Sequence, residues 1–189
     1  MMKIVTILGS PKGKGNTAKV LGTFEELVAK EQEIDRINLA SCDVKGCLGC
    51  GACQTKIDEP GCVQKDDGQS LFERMMSADA LVYASPIYMW GFPSQMKALL
   101  DRHFCLVTGY FTPDHKSLLA GKRTALLATC AGPIENNTEF LQGIFDNVSA
   151  YTKSEVVGKY LVPFCTTPEA MSPLGEERAR ELATDIVGH

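Results

Sequence analysis

Short apolar runs alternate with longer stretches of helical periodicity along the whole chain. KIVTIL (Lys3–Leu8) is β-branched, nearly continuous in apolar residues and stopped by Gly9, the pattern of a buried strand. Leu21, Phe24, Leu27 and Val28 then recur at helical spacing. EIDRINLA (Glu33–Ala40) alternates apolar with polar residues, as a strand near a sheet edge does. Leu71, Phe72, Met75 and Met76 mark a short helix, and ADALVYASP (Ala78–Pro86) marks the next strand. Pro93 stands where a helix start tolerates it, ahead of Met96, Leu99 and Leu100 on one face. RTALLATC (Arg123–Cys130) is apolar enough for a central strand. Phe140, Leu141, Ile144, Phe145 and Val148 form another stripe, and EVVGKYLV (Glu155–Val162) is a fifth strand. Ala179, Leu182, Ala183 and Ile186 line a last helix.

Strands interleaved with helices in this way predict an α/β fold, a doubly wound five-stranded parallel sheet with helices on both faces. The expected strand order is 2-1-3-4-5. No repeat, linker or change of composition divides the chain, so residues 1–189 are expected to form one domain. Two connections, Ser41–Gly68 and Cys105–Gly121, are longer than βα links usually are, which marks them as functional candidates.

Hydrophobic residues at 44% and charged residues at 22% fit an ordinary soluble globular protein. A net charge of −4 with scattered Lys and Arg gives no electrostatic case for nucleic acid or an anionic membrane. The apolar run near the N-terminus is too short for a signal peptide, and no stretch approaches a membrane span. The expectation is a cytoplasmic protein whose eight cysteines are reduced or serve as ligands.

In a doubly wound sheet, ligands bind outside the carboxyl ends of the strands where the strand order reverses, here between the first and third strands. The loops leaving those strands are GSPKGKGNT (Gly9–Thr17) and SPIYMWGFPS (Ser85–Ser94). The first offers Ser10, Asn16 and Thr17 as hydrogen-bond donors, Lys12 as a charge, and glycines that let backbone amides converge at a helix N-terminus. That chemistry suits a phosphate. A Walker A loop is excluded by its spacing and by Gly15 standing where Ser or Thr is required. Gly13 to Ala18 also fits the dinucleotide pattern, but Asp35 falls at the start of the second strand, not near its end. The plainer alternative is a Gly-rich turn with Asn16 or Thr17 capping the helix. The second loop sets Tyr88, Met89 and Trp90 between Pro86 and Pro93, which suits a flat heteroaromatic ring. Its alternative has Tyr88 and Trp90 packed as core. A monophosphate cradle opposite an aromatic shelf points to a mononucleotide with a planar head, and FMN is the natural candidate.

Four of the eight cysteines lie within CLGCGACQTKIDEPGC, and Cys47, Cys50 and Cys53 are spaced C-x2-C-x2-C. So compact a run lets three thiolates point at one small inorganic core, as iron–sulfur ligation does. Zinc competes, although its sites more often use separated pairs or His partners. A free, redox-active thiol loop is the third option.

These residues resemble the flavodoxin-like NAD(P)H-dependent FMN reductases, specifically the iron–sulfur flavoprotein branch. The likeness rests on GSPKGKGNT, on KGCLGCGACQ with the downstream GCVQKDDG, and on ADALVYASPIYMWGFPSQMKALLDR. It implies a flavodoxin-like fold in which the cysteine-rich segment 41–68 is an insertion after strand 2. It implies the FMN phosphate on Ser10, Lys12, Asn16 and Thr17. The ring would lie against Pro86, Ile87, Tyr88, Met89 and Trp90, with Thr129 to Gly132 completing its pocket. Cys130 is either a pocket thiol or inert packing. A [4Fe–4S] cluster would sit on Cys47, Cys50, Cys53 and Cys62. The eight-residue gap QTKIDEPG before Cys62 is longer than the family's usual spacing, and Pro60-Gly61 offers a turn that brings Cys62 back. Asp101 and Arg102 read as structural, Asp66 and Asp67 as helix-positioning.

The implied activity is that of an FMN-dependent oxidoreductase moving electrons from NAD(P)H or a ferredoxin-like donor to a flavin, quinone or oxygen species. Flavin N5 carries the chemistry, so no catalytic side chain is expected. The alternatives are a non-enzymatic flavodoxin-like electron carrier and a cysteine-based redox or metal sensor. His103 is expected to pack or face the surface, and His115 and His189 to face solvent. The resemblance also implies a homo-oligomer, dimer or tetramer, with Trp90, Phe92, Tyr110 and Phe111 as interface candidates.

Overall fold

The computed structural model describes residues 1–110, 112–113, 115–167 and 172–188. Phe111 and His189 therefore lie outside the described residues. Among the described residues, seven strands occur in chain order: β1 (Lys3–Leu8), β2 (Glu33–Asn38), β3 (Ala80–Pro86), β4 (Val107–Thr108), β5 (Lys116–Ser117), β6 (Arg123–Thr129) and β7 (Glu155–Val162). The helices are α1 (Asn16–Val28), α2 (Gly68–Ser77), α3 (Ser94–Asp101), α4 (Glu139–Tyr151) and α5 (Ser172–Val187). No described helix is long and apolar enough to cross a membrane.

Five strands form one parallel sheet in the order β2-β1-β3-β6-β7. With the two-residue strands β4 and β5 set aside, this is the expected 2-1-3-4-5 order. Burial explains the order. β1, β3 and β6 are buried at nearly every position, whereas β2 and β7 are largely half-exposed, so the three apolar runs take the centre. Alternate residues then feed two cores. Val5, Ile7, Leu81, Tyr83, Leu126 and Ala128 face Phe72, Met75, Met96, Leu99 and Phe145 of α2, α3 and α4. Ile4, Leu8, Val82, Ala84, Ala125 and Leu127 face Leu21, Phe24, Leu182 and Ile186 of α1 and α5.

Several expectations shift in detail. Leu27 and Phe140 lie on the exposed sides of α1 and α4, because each belongs to a stripe wider than the helix can bury. β2 ends at Asn38, whose side chain accepts from the Ala40 amide at 3.2 Å and starts a 3₁₀ turn, Leu39–Ser41. The segment Cys105–Gly121 contains the antiparallel β4–β5 pair, too short for any periodicity to announce.

Candidate functional site

The carboxyl ends of β1, β3 and β6 open into a cleft of about 370 Å³. Ser10, Lys12, Gly15, Asn16 and Thr17 line one side, and Pro86, Ile87 and Tyr88 another. Thr129, Cys130, Ala131, Cys165 and Thr166 complete it. The N-cap of α1 is Gly15, with no side-chain cap and no acidic residue in the first turn. Neither Asn16 nor Thr17 caps the helix: Asn16 donates to the Cys165 carbonyl at 2.7 Å, and the Thr17 hydroxyl meets that of Thr129 at 2.7 Å. The first-turn amides of α1 are thus left without a side-chain acceptor, beside the Lys12 charge, where the helix dipole favours an anion. Ser10 accepts from the Lys12 amide at 3.1 Å, which folds the loop tightly around this point.

Ile87 continues β3 by donating its amide to the Thr129 carbonyl at 2.9 Å. The chain then reverses in a turn closed by paired backbone bonds of 3.0 Å between Tyr88 and Gly91. Met89 and Trp90 occupy its centre with φ of 48° and 61°, a left-handed conformation that costs non-glycine residues. Tyr88 and Trp90 are 45% and 49% exposed, which overturns the reading of them as core. Met89, Trp90 and Gly132 are not among the residues that line the cleft. Burial holds the Cys130 thiol above its ordinary pKa, and pushes Cys165 up to about 11 with a smaller contribution from Cys130, so both are neutral thiols.

The cysteine segment leaves the sheet after β2 and is held at its base and its tip. At the base, the Asp43 amide donates to Asp67 at 2.7 Å and Gln64 donates to the Gly46 carbonyl at 3.0 Å. At the tip, Gln54 donates to the carbonyls of Phe104 and Val107 at 3.0 and 2.9 Å and accepts from the Tyr110 amide at 3.0 Å. The two long connections therefore pack on one another. Gly49 and Gly51, at φ of 63° and 69°, give the left-handed corners by which the chain winds between Cys47 and Cys53.

Cys47, Cys50, Cys53 and Cys62 all line a cavity of about 150 Å³, together with Arg102, Phe104 and Cys105. All eight cysteines are free. Three of the four sulfurs already accept N–H groups: Cys47 from the Gly49 amide at 3.4 Å, Cys53 from Gln54 at 3.6 Å and Cys62 from Arg102 at 3.3 Å. Such bonds tune iron–sulfur centres and fit a set of thiolate ligands. Burial raises the Cys53 thiol pKa; the Gln54 bond works against this, and Cys62 and Cys47 add repulsion that a bound cation would reverse. Among the described residues, no group of three or more His, Cys, Asp or Glu is placed to hold a metal ion.

Other expectations resolve cleanly. His103 is buried between Tyr83 and the Leu99 carbonyl, and His115 is exposed. Phe92 belongs to the core, whereas Trp90 and Tyr110 are half-exposed. Asp35 is engaged by Arg74 at 3.0 Å, which takes up the acid of the dinucleotide pattern. Cys165 and Thr166 were not foreseen as lining residues, although their place just beyond β7 puts them at the same end of the sheet. Arg102, expected to be structural, also lines the cysteine cavity. The signal was its position three residues after Leu99 on an apolar face, where a cation needs a buried partner.

Residues 2–160 match the NADPH-dependent FMN reductase family. An iron–sulfur flavoprotein of Methanosarcina thermophila is 41% identical over 117 residues, 61% of this chain and 59% of that protein. Another, from Archaeoglobus fulgidus, is 32% identical over 186 residues, 98% of this chain and 79% of that protein. The matched region thus spans less than two thirds of the first relative's length. A solved NAD(P)H:quinone oxidoreductase from Methanothermobacter marburgensis shares the fold, with a TM-score of 0.72 at 17% identity over 100% of this chain and 98% of that one. The chain belongs to the NADPH-dependent FMN reductase family of flavin-dependent oxidoreductases, and to its iron–sulfur flavoprotein branch.

Proposed function

We propose that this protein is an FMN-dependent oxidoreductase. It draws electrons from NAD(P)H or a ferredoxin-like donor and delivers them to a small acceptor such as a flavin, a quinone or an oxygen species. The observation that carries this reading is the cleft at the reversal of strand order, where an uncapped helix N-terminus and Lys12 share one space with Pro86, Ile87 and Tyr88. FMN, when bound, supplies hydride acceptance and one-electron release. The chain supplies the rest. Ser10, Asn16, Thr17 and the first amides of α1 bind the phosphate, with Lys12 adding charge. Pro86, Ile87, Tyr88 and Thr129 to Ala131 orient the ring, on backbone anchored by the Ile87–Thr129 bond. The neutral thiols of Cys130 and Cys165 pack beside the cofactor without attacking it.

The cysteine cavity is read as the seat of a [4Fe–4S] cluster on Cys47, Cys50, Cys53 and Cys62. The four cysteines that line one cavity and the N–H donors to three of their sulfurs support this, as do the names of the relatives. Such a cluster supplies one-electron storage. The half-exposed aromatics Tyr88, Trp90 and Tyr110 favour a homo-oligomer, and the composition favours the cytoplasm.

The test is oxidation of NADH and NADPH by the FMN-loaded protein, with and without a quinone. Acceptor-dependent turnover is expected. FMN binding without turnover on either nucleotide would leave an electron carrier in its place.

A further inference from the structure

Arg102 is 1% exposed and carries its charge at the wall of the cysteine cavity. One terminal nitrogen donates to both oxygens of Asp66, at 2.8 and 2.6 Å. The other donates to Cys62 Sγ at 3.3 Å. Its Nε finds no acceptor among the described residues. The guanidinium also lies 5.4 Å from the centre of the Phe72 ring. At Gly68, the first residue of α2, a Cβ would stand 2.6 Å from the guanidinium carbon, so the helix begins on the residue that leaves room for it.

A structural role alone explains only part of this. Burying a guanidinium costs several kcal/mol, and one carboxylate offsets that cost only when the remaining donors are satisfied as well. Asp66 is well provided, since it also accepts from the amides of Lys45 and Gly68 at 3.0 Å each. Arg102 is less well provided: beyond Asp66 it reaches the Lys45 carbonyl only at 3.5 Å and the Cys62 sulfur at 3.3 Å, and its Nε finds no acceptor among the described residues. Those under-used donors face the cavity that Cys47, Cys50, Cys53 and Cys62 line.

We propose that Arg102 is the charge-compensating donor to the iron–sulfur cluster, and that it positions Cys62 as the fourth ligand. The inference rests on the cluster reading given above. Cys47, Cys50 and Cys53 are prearranged by their own short loop, whereas Cys62 comes after an eight-residue gap and needs an outside anchor. Asp66 holds Arg102, and Arg102 holds Cys62. Thiolate ligation makes the site anionic, and one-electron reduction makes it more so. A cation within hydrogen-bond distance stabilises the reduced form more than the oxidised form and so raises the reduction potential.

The test uses full-length protein reconstituted anaerobically: wild type, Arg102→Lys and the double variant Asp66→Asn/Arg102→Met, which leaves no buried charge unpaired. Iron and sulfide per chain, the cluster potential from an EPR-monitored dithionite titration, and the thermal melt are measured for each. The expected result is a potential shifted negative in both variants, further in the double variant, with iron lost from it in excess of any change in the melt. Potentials and iron contents equal to wild type would overturn the proposal and leave Arg102 a structural residue. If the double variant does not fold, Arg102→Lys decides alone by the same comparison. Wild type that takes up no iron or sulfide would instead remove the cluster reading itself.

Discussion

Thr17 and Thr129 meet hydroxyl to hydroxyl at 2.7 Å, although 112 residues of chain separate them. Both are buried, and the pair ties the first turn of α1 to the end of β6 at the lining of the cleft. One must donate and the other accept, so removing either hydroxyl strands its partner in a buried place. Thr17→Val or Thr129→Val alone is expected to cost about 1–3 kcal/mol of stability, and the double variant less than the sum. Denaturant melts of the three variants check the coupling. In the same variants FMN affinity is expected to fall about tenfold, the equivalent of one hydrogen bond.

Phe140 and Phe145 sit on the same helix with opposite fates, 73% and 2% exposed. Phe145 packs edge-on against Tyr83 at 5.8 Å between ring centres. Phe145→Ala is expected to destabilise by about 3–5 kcal/mol, and Phe140→Ala by no more than about 0.5 kcal/mol. Equal losses on thermal or chemical unfolding would contradict this packing.

That contrast also marks what the sequence could convey. Periodicity located the five strands of the main sheet and α1 to α5, because central strands and amphipathic helices carry long apolar patterns. It could not separate Phe140 from Phe145, or Leu27 from Val28, since both members of each pair fall within the same stripe and only the neighbouring elements decide which is covered. The cleft was legible because topology alone brings the ends of β1 and β3 together. Cys165 and Thr166 were not, since their contribution depends on how the chain turns after β7. Arg102 was hidden for another reason: its partners, Asp66 and Cys62, come from a loop with no regular pattern.

Met89 and Trp90 are held at positive φ in a turn stabilised by only two backbone bonds between Tyr88 and Gly91. Asn tolerates this conformation better than Met. Met89→Asn is therefore expected to raise stability by about 0.5–1 kcal/mol. Met89 stands outside the cleft lining, so the same variant is expected to bind FMN as tightly as wild type. A melt and an FMN titration on one preparation read both effects.

His103 is buried and neutral. The Leu99 carbonyl can only accept, so Nδ1 carries the proton, and Nε2 accepts from the Tyr83 hydroxyl at 3.0 Å. Burial drives its pKa from 6.5 down to about 4, against a smaller opposing effect of the Leu99 bond. Above pH 6.5 neither folded nor unfolded chain protonates this ring. Between 6.5 and 4 the unfolded chain binds a proton that the folded chain refuses, so stability falls as pH falls through that window and levels off below it. The contribution at stake is roughly 3 kcal/mol. Unfolding free energies of wild type and His103→Gln from pH 7 to 4 should converge as the pH drops, and a constant difference would contradict the assignment.

The presence of a phosphate site at the start of α1 is tested most directly by titrating the apoprotein with FMN and with riboflavin in parallel, following the quenching of flavin fluorescence. The two ligands share the ring and differ in the phosphate. With Ser10, Lys12 and the uncapped amides engaged, FMN should bind about a hundredfold more tightly than riboflavin, and Lys12→Ala should narrow the gap. Equal affinities for the two, or no binding of either, would contradict the cleft as the seat of FMN.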